Sequence, residues 1–213
     1  MSQKYQLLAI GDVVTDAFIR LEESSAHIDI DKGNREICMS FAEKIPYKEV
    51  YVVPAVGNSA NAAVCASRLG LKTAFVSNIG SDYFGKECLN TLKTEKVGTK
   101  FIKIHKNMKT NYHYVLWYDV DRTILIKHSG FDYKLPQLEK TSWVYLSSLS
   151  DNSLPYHTEI TEYLKNNPET KLAFQPGTFQ IKLGKEKLKG IYARTEIFFC
   201  NLEEAEIISE IQS

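Results

Sequence analysis

The stretch VGNSANAAVCASRLGLKTAFVSNIG, residues 56–80, decides the fold. It opens on a glycine and two asparagines, runs through very small side chains, regains bulk at Leu69 and stops at Gly70. A glycine in that place is a helix stop. The apolar run TAFVSNIG follows at once and reads as a buried strand. Helix 58–69 feeding a strand is half of a strand–helix–strand crossover. Working outward, residues 5–10 form an earlier apolar run ending at Gly11, and Asp82 opens a second helix reaching about Lys96. From Ser142 the alternation becomes regular. SWVYLSSL, KLAFQPG and EIFFCN read as strands, and residues 155–166, 184–191 and 202–211 as helices. Such alternation predicts right-handed crossovers and an α/β fold: a mostly parallel, Rossmann-like sheet flanked by helices.

Two regions break the rhythm. Residues 17–53 hold short β-like pieces, AFIRL, REICMS and EVYVV. Residues 100–130 hold NYHYVLWYDVDRTILIKHSG, a hairpin with its turn near Asp119 to Arg122. Both read as insertions forming a small β-sheet lid. The hairpin is apolar on two faces, with Tyr112, Tyr114, Leu116 and Tyr118 on one and Val115 and Trp117 on the other. Two apolar faces need two covers. A site mouth and a partner subunit satisfy that, giving a homodimer through the lid; a strand sandwiched in the core is the alternative.

Composition excludes several classes. The 213 residues suffice for one α/β domain, and 44% hydrophobic with 24% charged residues reads as globular. Net charge is zero with no basic block, which argues against a nucleic-acid partner. No apolar run approaches the length of a membrane span. The N-terminus enters a strand pattern directly, without the regions of a secretory signal. Cys38, Cys65, Cys88 and Cys200 are far apart with no Cys-x-x-Cys, a reduced, cytoplasmic pattern. The five histidines form no metal-ligand cluster of the zinc type.

Ligands of open parallel sheets bind beyond the carboxyl ends of the strands, often at helix N-termini. Gly57, Asn58 and Asn61 occupy such a place. The two amides, three residues apart, share a helix face, and each offers donor and acceptor. A pair of sugar hydroxyls needs that mixture. The competing reading is that Asn58 merely caps the helix. GDVVTD sets Asp12 and Asp16 just past the first strand; Asp16 suits a hydroxyl pair, and an ordinary polar loop is the alternative. Asp82 reads as a helix cap. Asn201 and Glu204 stand at i and i+3 after a strand, which fits a capping box or a pair organising Mg²⁺ water and phosphate. Neither a dinucleotide glycine fingerprint nor a P-loop is present, which argues against a nucleotide-cofactor Rossmann enzyme.

The order of these signals resembles the ribokinase-like carbohydrate kinases, the PfkB family. LLAIGDVVTD is similar to the family's first strand with its substrate aspartate, here Asp16. Residues 56–85 are similar to its first sequence pattern, with Gly57 and Asn61 at sugar-contact positions and Asn58 beside them. The segment from Thr110 through the Tyr112 and Tyr114 hairpin resembles the lid. FQPG and NLEEAEI resemble the post-strand turn and the Asn-x-x-Glu element, here Asn201 and Glu204. Three departures stand out: Val56 replaces a second glycine, Asn58 stands where ribose kinases carry lysine, and Gln175 replaces Asp or Asn. The resemblance implies transfer of the ATP γ-phosphate, with Mg²⁺, to a sugar or nucleoside hydroxyl. It also implies a C-terminal part with a Gly-Ala-Gly-Asp anion hole and a catalytic aspartate, and these 213 residues contain no such sequence. Residues 1–213 are therefore expected to form a single, incomplete ribokinase-like domain, inactive alone, with lid segments at about 17–53 and 100–130. A non-catalytic sugar-binding or dimerisation module is the alternative.

Overall fold

A computed structural model describes residues 5–31 and 34–211. In chain order its strands are β1 (Tyr5–Ile10), β2 (Val14–Leu21), β3 (His27–Asp31), β4 (Asn34–Cys38), β5 (Tyr47–Val56), β6 (Thr73–Gly80), β7 (Gly98–His105), β8 (Asn111–Tyr118), β9 (Asp121–Leu125), β10 (Thr141–Leu146), β11 (Lys171–Phe174) and β12 (Thr195–Phe198). The helices are α1 (Asn58–Arg68), α2 (Tyr83–Thr94), α3 (Leu154–Asn166), α4 (Thr178–Leu183), α5 (Lys189–Tyr192) and α6 (Leu202–Ser209).

The main sheet runs β12-β11-β10-β1-β6-β7 with every pairing parallel. Alternate residues of each strand therefore feed two cores. Leu8 and Ile10 of β1 pack with Val144, Leu146, Ile160 and Leu164 on the face covered by α3 and α5. Ala9 packs with Ala60, Ala63, Phe75 and Leu92 on the face covered by α1 and α2. The small residues of α1 have a direct purpose. Ser59 Oγ donates to the Ile10 carbonyl at 2.7 Å, and a Cβ at Gly11 would lie 2.4 Å from Ser59 Oγ. No bulkier pair fits where α1 meets the end of β1.

The lid is a four-stranded sheet, β5-β2-β8-β9, beside a separate two-stranded sheet, β3-β4. Two sequence expectations need correction. β7 pairs with β6 as the edge of the main sheet, so the second lid segment begins at β8 and not near residue 100. The helix expected over 184–191 is instead two short helices on either side of a break. Gly184 has φ of +84° and ends α4, and the chain turns helical again only at Lys189. Gln180 anchors α4, donating to the Ser147 carbonyl and accepting from the Gly177 N–H.

Candidate functional site

A cavity of about 490 Å³ opens between the carboxyl ends of the main sheet and the inner face of the lid. Asp16, Gly57, Asn58 and Asn61 all line it. The lid contributes Phe18, His113, Val115 and Ile124, and the N-terminus of α4 contributes Thr178 and Phe179. A larger hollow of about 850 Å³ lies at the far tip of the lid around Arg20, His27 and Trp117. It is remote from the strand ends where ligands of open α/β sheets bind, so the smaller cavity is the candidate site.

Backbone strain marks its entrance. Gly57 has φ of +103° and ψ of 154°, a conformation available essentially to glycine alone. Gly57 is the N-cap of α1, and Asn58 is the first helical residue. Asn58 makes no capping bond, and the side-chain amides of Asn58 and Asn61 have no hydrogen-bond partner among the described residues. Two exposed amides thus face the cavity uncommitted. Asp16 Oδ1 is buried without a hydrogen-bond partner and lies 3.4 Å from His113 Nδ1.

The floor is a buried polar cluster. Asp12 accepts from the Tyr133 hydroxyl at 2.9 Å and lies 3.0 Å from His128 Nδ1. Burial, and then the Asp12 carboxylate, raise the Tyr133 phenol well above its ordinary value, so it remains a donor. His113 and His128 sit 5.3 Å apart, ring to ring, and join the two aspartates into one wall. The sequence reading missed this cluster, because Asp12 and His128 are 116 residues apart and belong to no local motif.

The remaining expectations fall elsewhere. Tyr112 and Tyr114 lie on the lid face turned away from the cavity. Tyr112 packs on Phe84 at 4.6 Å and on Tyr114 at 5.2 Å. Asp82 is a cap, as its spacing suggests: it accepts from the Gly85 N–H and from Thr110 Oγ1, tying α2 to the start of β8. Asn201 and Glu204 cap α6 reciprocally, at 2.7 and 3.0 Å. Glu204 Oε1 stays outside that box, which fits a contact to metal-bound water. Among the described residues no three His, Cys, Asp or Glu side chains converge as a metal cage.

A parallel sheet, a lid over its carboxyl ends and a cavity of about 490 Å³ between them bear directly on kinship. Residues 24–213 match the pfkB family carbohydrate kinases. The chain belongs to that family. Mouse ribokinase is 24% identical over 161 residues, which cover 72% of this chain and 48% of that protein. Ribokinase of Haemophilus influenzae is 36% identical over 74 residues, covering 29% of this chain and 24% of that protein. Arabidopsis thaliana ribokinase, solved with ribose and ATP, superimposes with a TM-score of 0.70 at 17% identity, covering 97% of this chain and 63% of the other. A nucleoside kinase of Methanocaldococcus jannaschii gives a TM-score of 0.64 at 18% identity, with coverage of 99% and 67%. This PfkB chain thus spans about half the length of mouse ribokinase. Among its described residues no helix is long and apolar enough to cross a membrane.

Proposed function

We propose that this PfkB chain is the acceptor-binding portion of an ATP-dependent kinase that phosphorylates a hydroxyl of a sugar or nucleoside. One observation carries the reading: Asp16, Asn58 and Asn61 line a single cavity at the carboxyl ends of parallel strands, with both amides free of protein partners. A carboxylate that only accepts, beside two amides that donate and accept, matches vicinal hydroxyls. A phosphate would call for donors. Gly57 lets the backbone approach the bound polyol, and the inner lid face, Phe18, Val115 and Ile124, covers it and excludes water.

Bound ATP with Mg²⁺ supplies the phosphoryl group and neutralises charge on it. On this chain Glu204 would hold metal-bound water through Oε1, while its other oxygen fixes α6. The groups that activate the acceptor hydroxyl and stabilise the transferring phosphoryl are assigned to sequence beyond these residues. The unpaired cysteines support a reducing compartment, the cytoplasm.

Calorimetry with a panel of pentoses, hexoses and nucleosides tests the reading. At least one polyol binds, and Asp16→Asn weakens it by roughly 10- to 100-fold, the value of a charged hydrogen bond, with little change in melting temperature. Binding unaffected by Asp16→Asn refutes it. The same titration with nucleotide present separates a kinase portion from a sugar-binding module, which would ignore ATP.

A further inference from the structure

We infer that His128 is a fourth hydroxyl-reading group of the cavity, beside Asp16, Asn58 and Asn61, fixed in one tautomer by Asp12 and Tyr133. The inference rests on the acceptor-site reading above and adds a residue and a chemistry to it. Asp12 is deeply buried, with its side chain 1% exposed. The Ser150 N–H donates to the Tyr133 oxygen at 3.3 Å, and the Tyr133 hydroxyl proton goes to Asp12. A carboxylate only accepts, so the 3.0 Å contact from His128 requires the proton on Nδ1. In its neutral form the ring so held presents a bare lone pair at Nε2.

That nitrogen has no hydrogen-bond partner among the described residues, and His128 lines the same cavity as Asp16, Asn58 and Asn61. The ring is held edge-on to Phe179 at 5.4 Å and beside His113 at 5.3 Å. A fixed lone pair accepts O–H or N–H and rejects carbonyl, ether and phosphate oxygens. His128 therefore selects for an acceptor with a hydroxyl beyond the pair taken by Asp16. Asp12 and Tyr133 are positioning residues. The other charged or titratable groups along this wall are Asp16, His113 and Arg122.

Two substitutions separate the parts. His128→Asn keeps an amide donor for Asp12 but withdraws the cavity acceptor. His128→Gln extends an amide oxygen toward the Nε2 position and gives up the Asp12 contact. With the full chain and the tightest-binding pentose, hexose or nucleoside of the panel as probe, His128→Asn binds about tenfold more weakly, one hydrogen bond's worth, and His128→Gln recovers most of that loss. Imidazole ¹⁵N spectra of the unmodified chain show the Nδ1-protonated tautomer for His128, and the Nε2 signal moves on adding the probe. Asp12→Asn, whose amide donates to Nδ1, inverts the tautomer and also weakens binding. Full affinity in His128→Asn, or an Nε2-protonated ring in the unmodified chain, overturns the role of His128 while leaving the acceptor site standing. Failure of every pentose, hexose and nucleoside of the panel to bind the unmodified chain overturns the acceptor site and this inference together.

Discussion

At the scale of single residues, the site depends on a backbone conformation that only Gly57 permits. A Cβ there would lie 3.1 Å from the Asp12 carbonyl oxygen and would force a φ of +103° on an L-residue. Gly57→Ala is expected to cost about 1–3 kcal/mol and to displace Asn58 from the cavity. Thermal melts and polyol titrations read the two effects; an unchanged melt would show that the strain is absent. This part of the site was legible because Gly57, Asn58 and Asn61 lie within one short segment at a helix start. Asp16 was legible because it follows a strand end. His113, His128 and Asp12 were not, since chain folding alone makes them neighbours. The amides also illustrate how the bland reading fails: Asn58 sits one residue too late to cap α1, and its side chain stays uncommitted.

At the scale of elements, α3 carries a buried titratable group. His157 donates from Nδ1 to the Ser153 carbonyl at 2.8 Å, and its Nε2 is buried without a partner. Burial lowers its affinity for a proton below the ordinary value of 6.5. The unfolded chain therefore takes up this proton first on acidification. Stability is complete above that ordinary value, falls as the pH drops toward the folded value, and then levels. His105, lowered by burial and by Lys103, adds in the same direction. Chemical denaturation at about pH 7 and about pH 5 should show lower stability at the acid end, with a shallower dependence in His157→Asn; an identical dependence would remove His157 from the account. The lid yields a second expectation. Register aligns Val52, Ala17, Tyr114 and Leu125 as one row across the outer face of its four strands, and all but Ala17 are exposed. Such a row suits contact with a second copy of the chain. The chain should sediment as a dimer at micromolar concentration and Tyr114→Lys as a monomer; a monomeric unmodified chain would refute this. Period and punctuation made α1, β6 and the α2 cap readable in advance. They failed at α4, where Gly184 acts as a stop although a helix was expected to begin there, and at β7, whose edge position leaves it half exposed and lid-like in pattern.

At the scale of the whole molecule, binding and turnover come apart. In the proposed reading, acceptor recognition needs only groups that this chain brings to one cavity. Phosphoryl transfer needs more: a base within reach of the acceptor hydroxyl and preorganised donors for the charge that develops on the phosphoryl group. The sequence that the family resemblance assigns to both, a Gly-Ala-Gly-Asp run, does not occur in these 213 residues, and the chain spans 48% of mouse ribokinase. In the proposed reading the nucleotide side has Glu204, half of whose carboxylate is committed to holding α6. A group so placed can orient water around a cation but does not substitute for an anion hole, in which the loss of a single donor costs about 10²–10³ in rate. The purified 213-residue chain is therefore expected to bind its polyol yet show ADP release indistinguishable from background, with or without Mg²⁺, in a coupled assay across the same panel. Robust Mg²⁺-dependent turnover by that chain would mean that a base and an anion site lie among the residues already described, and would move His113 and His128, the cavity-wall imidazoles whose Nε2 atoms have no hydrogen-bond partner among the described residues, to the head of the candidates.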